Sequence, residues 1–260
     1  MKMKNLDNSD EIFPLDDDIE FIPEGHKYLY KGIEPFTPVS SLYMSFFAPF
    51  DAEGMAMRKS ASLGKSPEHI MEEWEVCGTK ASETGTFMHK QIENYFNGIE
   101  MTDRFTFDFE GKYISQHEEI DLSRELRYFM SFRSRLTSVP FRTEWCVCDP
   151  VHKVAGTIDF ICRNEDGTFD MFDWKHSHKI DPNGRIYSFG KNGLSHIPDT
   201  SYWHYVLQQN AYRYILENYY GIRIRNMHLV ILHPKYPDYI VAIVPRKDKE
   251  VEVMMNSMNS

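Results

Sequence analysis

Two acidic residues and a lysine stand out, because each acid sits inside an apolar run where a lone carboxylate is costly. Asp173 and Lys175 close the segment Phe169-Asp170-Met171-Phe172-Asp173-Trp174-Lys175, and Asp159 lies in Gly156-Thr157-Ile158-Asp159-Phe160-Ile161. Side chains alternate faces along a strand, so Asp173 and Lys175 project to one side and Trp174 to the other. Acids rarely occupy such runs unless they are paired or bind a cation. Paired carboxylates beside a lysine can hold a divalent metal next to a positioned water, which suits the cutting of phosphodiester bonds. Alone, a D-x-K tripeptide is a weak signal that ordinary strand-end salt bridges explain as well. The apolar setting of both acids favours a site.

The elements that must position these groups are legible nearby. Residues 154–163 and 169–175 are rich in β-branched and aromatic side chains. Asn164-Glu165-Asp166-Gly167 joins them, and its Asp-Gly step signals a hairpin. Residues 143–149, which carry Glu144, read as a third strand turned by Asp149-Pro150-Val151-His152-Lys153 into the second. This predicts a three-strand meander that gathers Asp159, Asp173, Lys175 and Glu144. Upstream, residues 85–96 have helical spacing, with Phe87, Ile92, Tyr95 and Phe96 as an apolar stripe and His89 and Glu93 one turn apart. Downstream, residues 202–219 read as a long amphipathic helix with Gln208 and Tyr212 one turn apart. Taken singly, either pair fits helix surface or packing as well as it fits a site.

The ordered set is more specific than its parts. G-x-x-x-H-x-x-x-E, then E, G-T-I-D, D-W-K and Q-x-x-x-Y resembles the PD-(D/E)XK nuclease superfamily. Within it, the chain is similar to the RecB-like exonuclease branch, which includes the mitochondrial genome maintenance exonuclease and phage and viral exonucleases. The resemblance runs over residues 37–244. Thr37-Pro38-Val39-Ser40-Ser41-Leu42 is similar to the opening segment of that branch, and Tyr202-Trp203-His204-Tyr205-Val206-Leu207-Gln208 to a segment of phage and large-virus members. Ile158 stands where the superfamily's name has proline.

The resemblance implies an α/β fold with a restriction-endonuclease-like core of order α-β-β-β-α-β, a mixed central sheet flanked by helices, and a helical N-terminal elaboration. In it the His89 helix would cross the sheet. It implies His89, Asp159, Asp173 and the backbone carbonyl of Trp174 as metal ligands, with Glu93 just outside them and Glu144 as a supporting catalytic acid. Lys175 would position or activate the attacking water, and Gln208 and Tyr212 would organise the site and contact DNA. Mg²⁺ or Mn²⁺ suits oxygen-rich ligands, and an imidazole makes Mn²⁺ a strong activator. The expected activity is that of a metal-dependent DNA exonuclease leaving 5′-phosphates, in recombination, repair or replication-intermediate processing. Its expected partners are DNA with a free end or single-stranded segment and recombination or replication proteins. The competing readings are a structure-specific or restriction-like endonuclease and a catalytically silent nucleic-acid-binding protein on the same fold. Two roles stay open for Lys175: a desolvated amine of lowered pKa that assists deprotonation, or an ammonium that steadies the transition state.

The net charge of −10 argues against a simple nucleic-acid-binding module, which needs a basic patch. The stretch from Lys175 to Lys191 differs in sign. It carries His176, His178, Lys179, Arg185 and Lys191, and reads as a mobile loop whose Lys179, Arg185 and Lys191 guide DNA. Cys77, Cys146, Cys148 and Cys162 show no paired-cysteine metal spacing. Some RecB-like relatives hold an iron–sulfur cluster on cysteines after the core, and this chain has none after Cys162, so no iron–sulfur cluster is expected. A single domain over residues 21–250 is expected, with a poorly ordered acidic segment 1–20 and a poorly ordered end 251–260. Helices should dominate residues 52–136, and further strands should lie near 227–232 and 239–244. Neither a secretory h-region nor a membrane-length apolar run is apparent, so no membrane partner is expected. The expected location is the cytoplasm of a bacterium, or of the host cell of a phage or virus.

Overall fold

The computed structural model describes residues 5–7, 9–178 and 180–259. The chain begins with strands β1 (Ile19–Ile22), β2 (Lys27–Tyr30) and β3 (Glu34–Pro38), followed by helix α1 (Val39–Met44). Next come α2 (Ala52–Leu63), α3 (Pro67–Phe96), β4 (Arg104–Glu110), β5 (Ser115–Asp121) and α4 (Ser123–Arg135). The remainder is β6 (Val139–Asp149), β7 (Val154–Arg163), β8 (Phe169–Lys175), α5 (Ser201–Tyr219), β9 (Ile224–Ile231), β10 (Ile240–Ile243) and α6 (Asp248–Asn256). Two compact units result: Met1–Ala48, Arg135–Ile231 and Ile240–Ser260 form the first, and Pro49–Ser134 with Leu232–Tyr239 the second. The expected single domain is therefore divided, because residues 49–134 pack chiefly on one another.

The first unit is an α/β assembly built on a mixed eight-stranded sheet. β7 is its pivot. Antiparallel β6 runs along one edge of β7, from Val139 opposite Arg163 to Asp149 opposite Val154. The other edge is shared. Antiparallel β8 pairs with residues 160–163, and parallel β3 pairs with Val154 and Ala155 at the far end. Between these pairings β7 and β8 splay apart just beyond Phe160 and Phe172. β8 then runs parallel to β9, which requires a crossover, and α5 supplies it. β10 closes this side antiparallel to β9, while β2 and β1 extend the other side beyond β3.

The β6–β7–β8 meander matches the sequence reading closely. The β7–β8 turn closes through Asn164, whose N–H donates to the Thr168 carbonyl at 2.8 Å, with Gly167 at φ +79°. Only glycine takes that conformation cheaply. α5 packs against β6 and β9, and α1 against β7. α5 is less amphipathic than expected. Polar Gln209, Asn210 and Arg213 are buried along with its apolar residues. Asn210 repays its burial by bonding Val206 O, Pro245 O and the Lys247 N–H, which fixes the segment leading into α6.

Four expectations need correction. The chain opens on a β-meander that was not anticipated ahead of the helices expected from residue 52: β1, β2 and β3 are linked through turns at Gly25 (φ +84°) and Gly32 (φ +70°). The acidic start is not loose where it is described. Phe13 is buried, and Asp16 accepts hydrogen bonds from Arg142 at 2.7 and 2.8 Å and from Trp145 at 2.9 Å. A guanidinium only 1% exposed in mid-strand requires that counter-ion. The C-terminal end forms α6, with Val251, Met254 and Met255 buried. Within residues 52–136, the β4–β5 hairpin interrupts the helices because Phe105, Phe107 and Phe109 alternate with polar residues at the strand period.

The second unit is otherwise helical. α3 runs for 30 residues from a start at which Ser66 Oγ accepts the His69 N–H at 3.2 Å and Pro67 opens the first turn. Among the described residues no helix is long and apolar enough to cross a membrane.

Candidate functional site

The splay of β7 from β8 places Asp159 and Asp173 just past the last paired residues. There the backbone of β8 is no longer served by β7, and the Asp159 carboxylate takes over. Its Oδ2 accepts the Trp174 N–H at 2.8 Å. Asp159 is 9% exposed, and Thr143 Oγ1 donates to its carbonyl at 3.0 Å. On the opposite edge of β7, the register from Thr143–Phe160 to Trp145–Ile158 sets Glu144 across from Asp159. Their carboxylates offer oxygens within 4.8 Å of each other. Glu144 holds φ at +47°, an unusual conformation for a non-glycine residue inside a strand. Such a backbone costs on the order of 1–3 kcal/mol and tends to persist where a side chain must be aimed.

Asp173 is 2% exposed, and its Oδ2 lies 2.7 Å from Lys175 Nζ. The same ammonium sits 4.3 Å from the centre of the Tyr205 ring. Burial pulls the Lys175 pKa down, but Asp173, Asp159 and Tyr205 together outweigh it and leave the pKa raised. Of the two roles open to Lys175, the electrostatics here favour the ammonium. Tyr43 on α1 completes this wall: burial pushes its pKa up to about 12, opposed by Lys175 and reinforced by Tyr205 and Asp173. The set of Glu144, Asp159, Asp173 and Lys175 holds three carboxylates and one ammonium, and of the three acids Asp173 and Asp159 act on that ammonium. A mostly buried excess of negative charge of this kind favours a bound cation.

Gly156 acquires a role that its place in the motif did not reveal. A Cβ there would stand 2.9 Å from the Tyr212 hydroxyl and 3.0 Å from Cζ, and closer still to Cε1. The missing side chain lets the ring of Tyr212 lie directly over β7. Tyr212 is buried, and burial raises its pKa well above the usual range, with Tyr28, Asp159 and Asp173 adding to the effect. Gln208 Nε2 donates to its hydroxyl at 3.3 Å. Gln208 Oε1 is a buried acceptor with no partner among the described residues. Leaving an acceptor unsatisfied is costly unless a ligand or water meets it. From the other side, Tyr28 on β2 meets the Thr157 hydroxyl at 3.1 Å.

The first unit thus brings together Glu144, Asp159, Asp173, Lys175, Gln208 and Tyr212. It adds Tyr43, Tyr205 and Tyr28, which sequence reasoning missed. Tyr205 was detectable, since it shares a helix face with Gln208 and Tyr212 at three- and four-residue steps. Tyr43 and Tyr28 carry no such signal. His89 and Glu93 lie half-buried on α3 in the second unit, where Lys90 holds Glu93 at 2.8 Å. Arg185 and Lys191 are exposed on the segment between β8 and α5, and Lys179 lies outside the described residues. Cys146, Cys148 and Cys162 are thiols whose pKa burial pushes up to about 12, which makes them poor nucleophiles.

No family model and no curated protein matches the chain. A solved structure described as the crystal structure of SSO0001 aligns over 84% of this chain and 80% of that one, at 10% identity and a TM-score of 0.33.

Proposed function

We propose that the protein is a metal-dependent DNA exonuclease of the RecB-like branch of the PD-(D/E)XK superfamily, with the first unit as a restriction-endonuclease-like core. The observation that carries this reading is the convergence at the β7–β8 splay. Two close carboxylates, Glu144 and Asp159, stand beside a largely buried Asp173–Lys175 ion pair at the end of β8. Oxygen donors of this kind fit Mg²⁺ or Mn²⁺. Glu144 and Asp159 would hold the ion. Asp173 and the Trp174 carbonyl are included with them on the sequence motif, as is His89. When bound, the ion polarises the phosphate and lowers the pKa of water.

The chain's own residues do the rest. Asp159 fixes the strand end by gripping the Trp174 amide, so the carboxylates do not relax on binding. Lys175, oriented by Asp173 and capped by Tyr205, presents a positive charge that steadies the extra negative charge developing on a phosphate under attack. Gln208 and Tyr212 form a rigid polar wall opposite β7.

End-labelled linear and circular DNA, incubated with Mg²⁺, Mn²⁺ or EDTA, tests the proposal. Loss of label from linear DNA alone supports an exonuclease, whereas cutting of circles would assign an endonuclease. No metal-dependent hydrolysis, or full activity in Lys175→Ala or Asp173→Asn, would refute the site.

A further inference from the structure

The segment joining β8 to α5 ends in a ribbon that exposes large aromatic side chains although its backbone is firmly anchored. Tyr187 is 78% exposed and Phe189 52%. From Ser188 onward the backbone is tied to the rest of the first unit. Phe189 bridges to Pro198, and the Asp199 N–H donates to the Ser188 carbonyl at 2.9 Å while Ser188 Oγ donates to Asp199 Oδ2 at 2.9 Å. The Lys191 N–H donates to the Phe46 carbonyl at 2.8 Å, and Leu194 and Ile197 are buried. Keeping two aromatic rings in water on a pinned backbone forfeits burial that the fold could otherwise gain.

The neighbouring charges identify what the rings meet. The Arg185 guanidinium lies 4.9 Å from the centre of the Tyr187 ring, and Lys191 is exposed two residues past Phe189. In a chain of net charge −10, a local cationic and aromatic ribbon is complementary to a polyanion that carries flat apolar groups. The ribbon leaves the strand that bears Asp173 and Lys175 and returns at the helix that bears Tyr205, Gln208 and Tyr212. A duplex hides its base faces within its own stack, whereas an unpaired strand offers them.

We infer that Tyr187 and Phe189, flanked by Arg185 and Lys191, are a base-stacking platform that selects single-stranded nucleic acid for the neighbouring site. This deepens the nuclease reading and rests on it for the identity of that site, but binding can be measured without hydrolysis. Fluorescence anisotropy in EDTA at low salt would compare the full-length protein with Tyr187→Ala/Phe189→Ala, using a labelled oligo-dT strand and a blunt hairpin duplex. Both side chains are largely in solvent, so the variant's thermal melting point should match that of the unaltered protein. The expected result is about a fivefold or greater loss of affinity for oligo-dT, the weak end of a single base–aromatic stack, with duplex affinity held within about twofold. Equal losses on both ligands, unchanged oligo-dT binding, or no oligo-dT binding by the unaltered protein would each overturn the inference. A selective loss of oligo-dT binding in a protein that shows no metal-dependent hydrolysis would sustain the platform and reject the nuclease.

Discussion

Gly156→Ala tests the packing of the site without assuming any activity. The new methyl group would stand 2.9 Å from the Tyr212 hydroxyl and 3.0 Å from Cζ, with Cε1 closer still. Tyr212 is 5% exposed, so its ring has little room to retreat. Overpacking of this kind costs about 1–3 kcal/mol. That is tolerable against a typical total of about 5–15 kcal/mol, so the variant should remain folded. Tyr212→Ala alone should cost about 3–5 kcal/mol through the cavity it leaves. In that background the Gly156 methyl enters vacated space. The second substitution should then be neutral, or stabilising by about 0.5–1 kcal/mol because alanine loses less backbone entropy than glycine. The expected coupling between the two sites is therefore about 1–4 kcal/mol. Urea unfolding followed by tryptophan fluorescence, in EDTA, would measure all four proteins, with buried Trp145 and Trp174 as reporters. Additivity within about 0.5 kcal/mol would refute the claim that Gly156 is glycine to admit Tyr212.

Three further outcomes follow from the same geometry. Asp16→Ala removes the carboxylate that pairs with the buried Arg142 guanidinium and should cost about 3–5 kcal/mol in urea unfolding, whereas a cost below about 1 kcal/mol would make the N-terminal anchor dispensable. Glu144→Gly removes both the strained φ and one of two close carboxylates. In EDTA its melting temperature should hold or rise, while the stabilisation by added Mn²⁺ expected for the unaltered protein should shrink; undiminished Mn²⁺ stabilisation would exclude Glu144 as a ligand. His228 is stacked on Phe172, and burial lowers its pKa, with Arg225 acting in the same direction and Asp170 opposing. The folded state thus binds fewer protons than the unfolded one, so this contribution to stability is complete above about pH 6.5 and declines as pH falls through that value. His228→Phe should flatten the acid limb of a melting-temperature profile, and an unchanged slope would count against it.

The sequence by itself determined the local elements of the core and the chemistry they present. β7 and β8 follow from apolar stretches rich in β-branched or aromatic residues, and their turn from Asp166-Gly167. Carboxylates within those runs mark Asp159 and Asp173 as groups that need a partner. These signals are legible because each depends on neighbours within a few residues. The β-meander of β1, β2 and β3 was not legible, because strands of four or five residues carry too little periodicity to stand out from loop.

Tertiary structure decided the relations between elements distant in sequence. Glu144 meets Asp159 only through the β6–β7 register and a left-handed backbone that no local pattern announces. Tyr205 reaches Lys175, and Tyr212 covers Gly156, only because α5 crosses from β8 to β9 over the sheet. The net state of Lys175 follows from the balance of burial against Asp173, Asp159 and Tyr205, a sum over groups that the fold alone brings into range. Residue types fixed which charges are present. Packing fixed how far apart they stand, and electrostatic energies depend on that distance and on the water excluded between them.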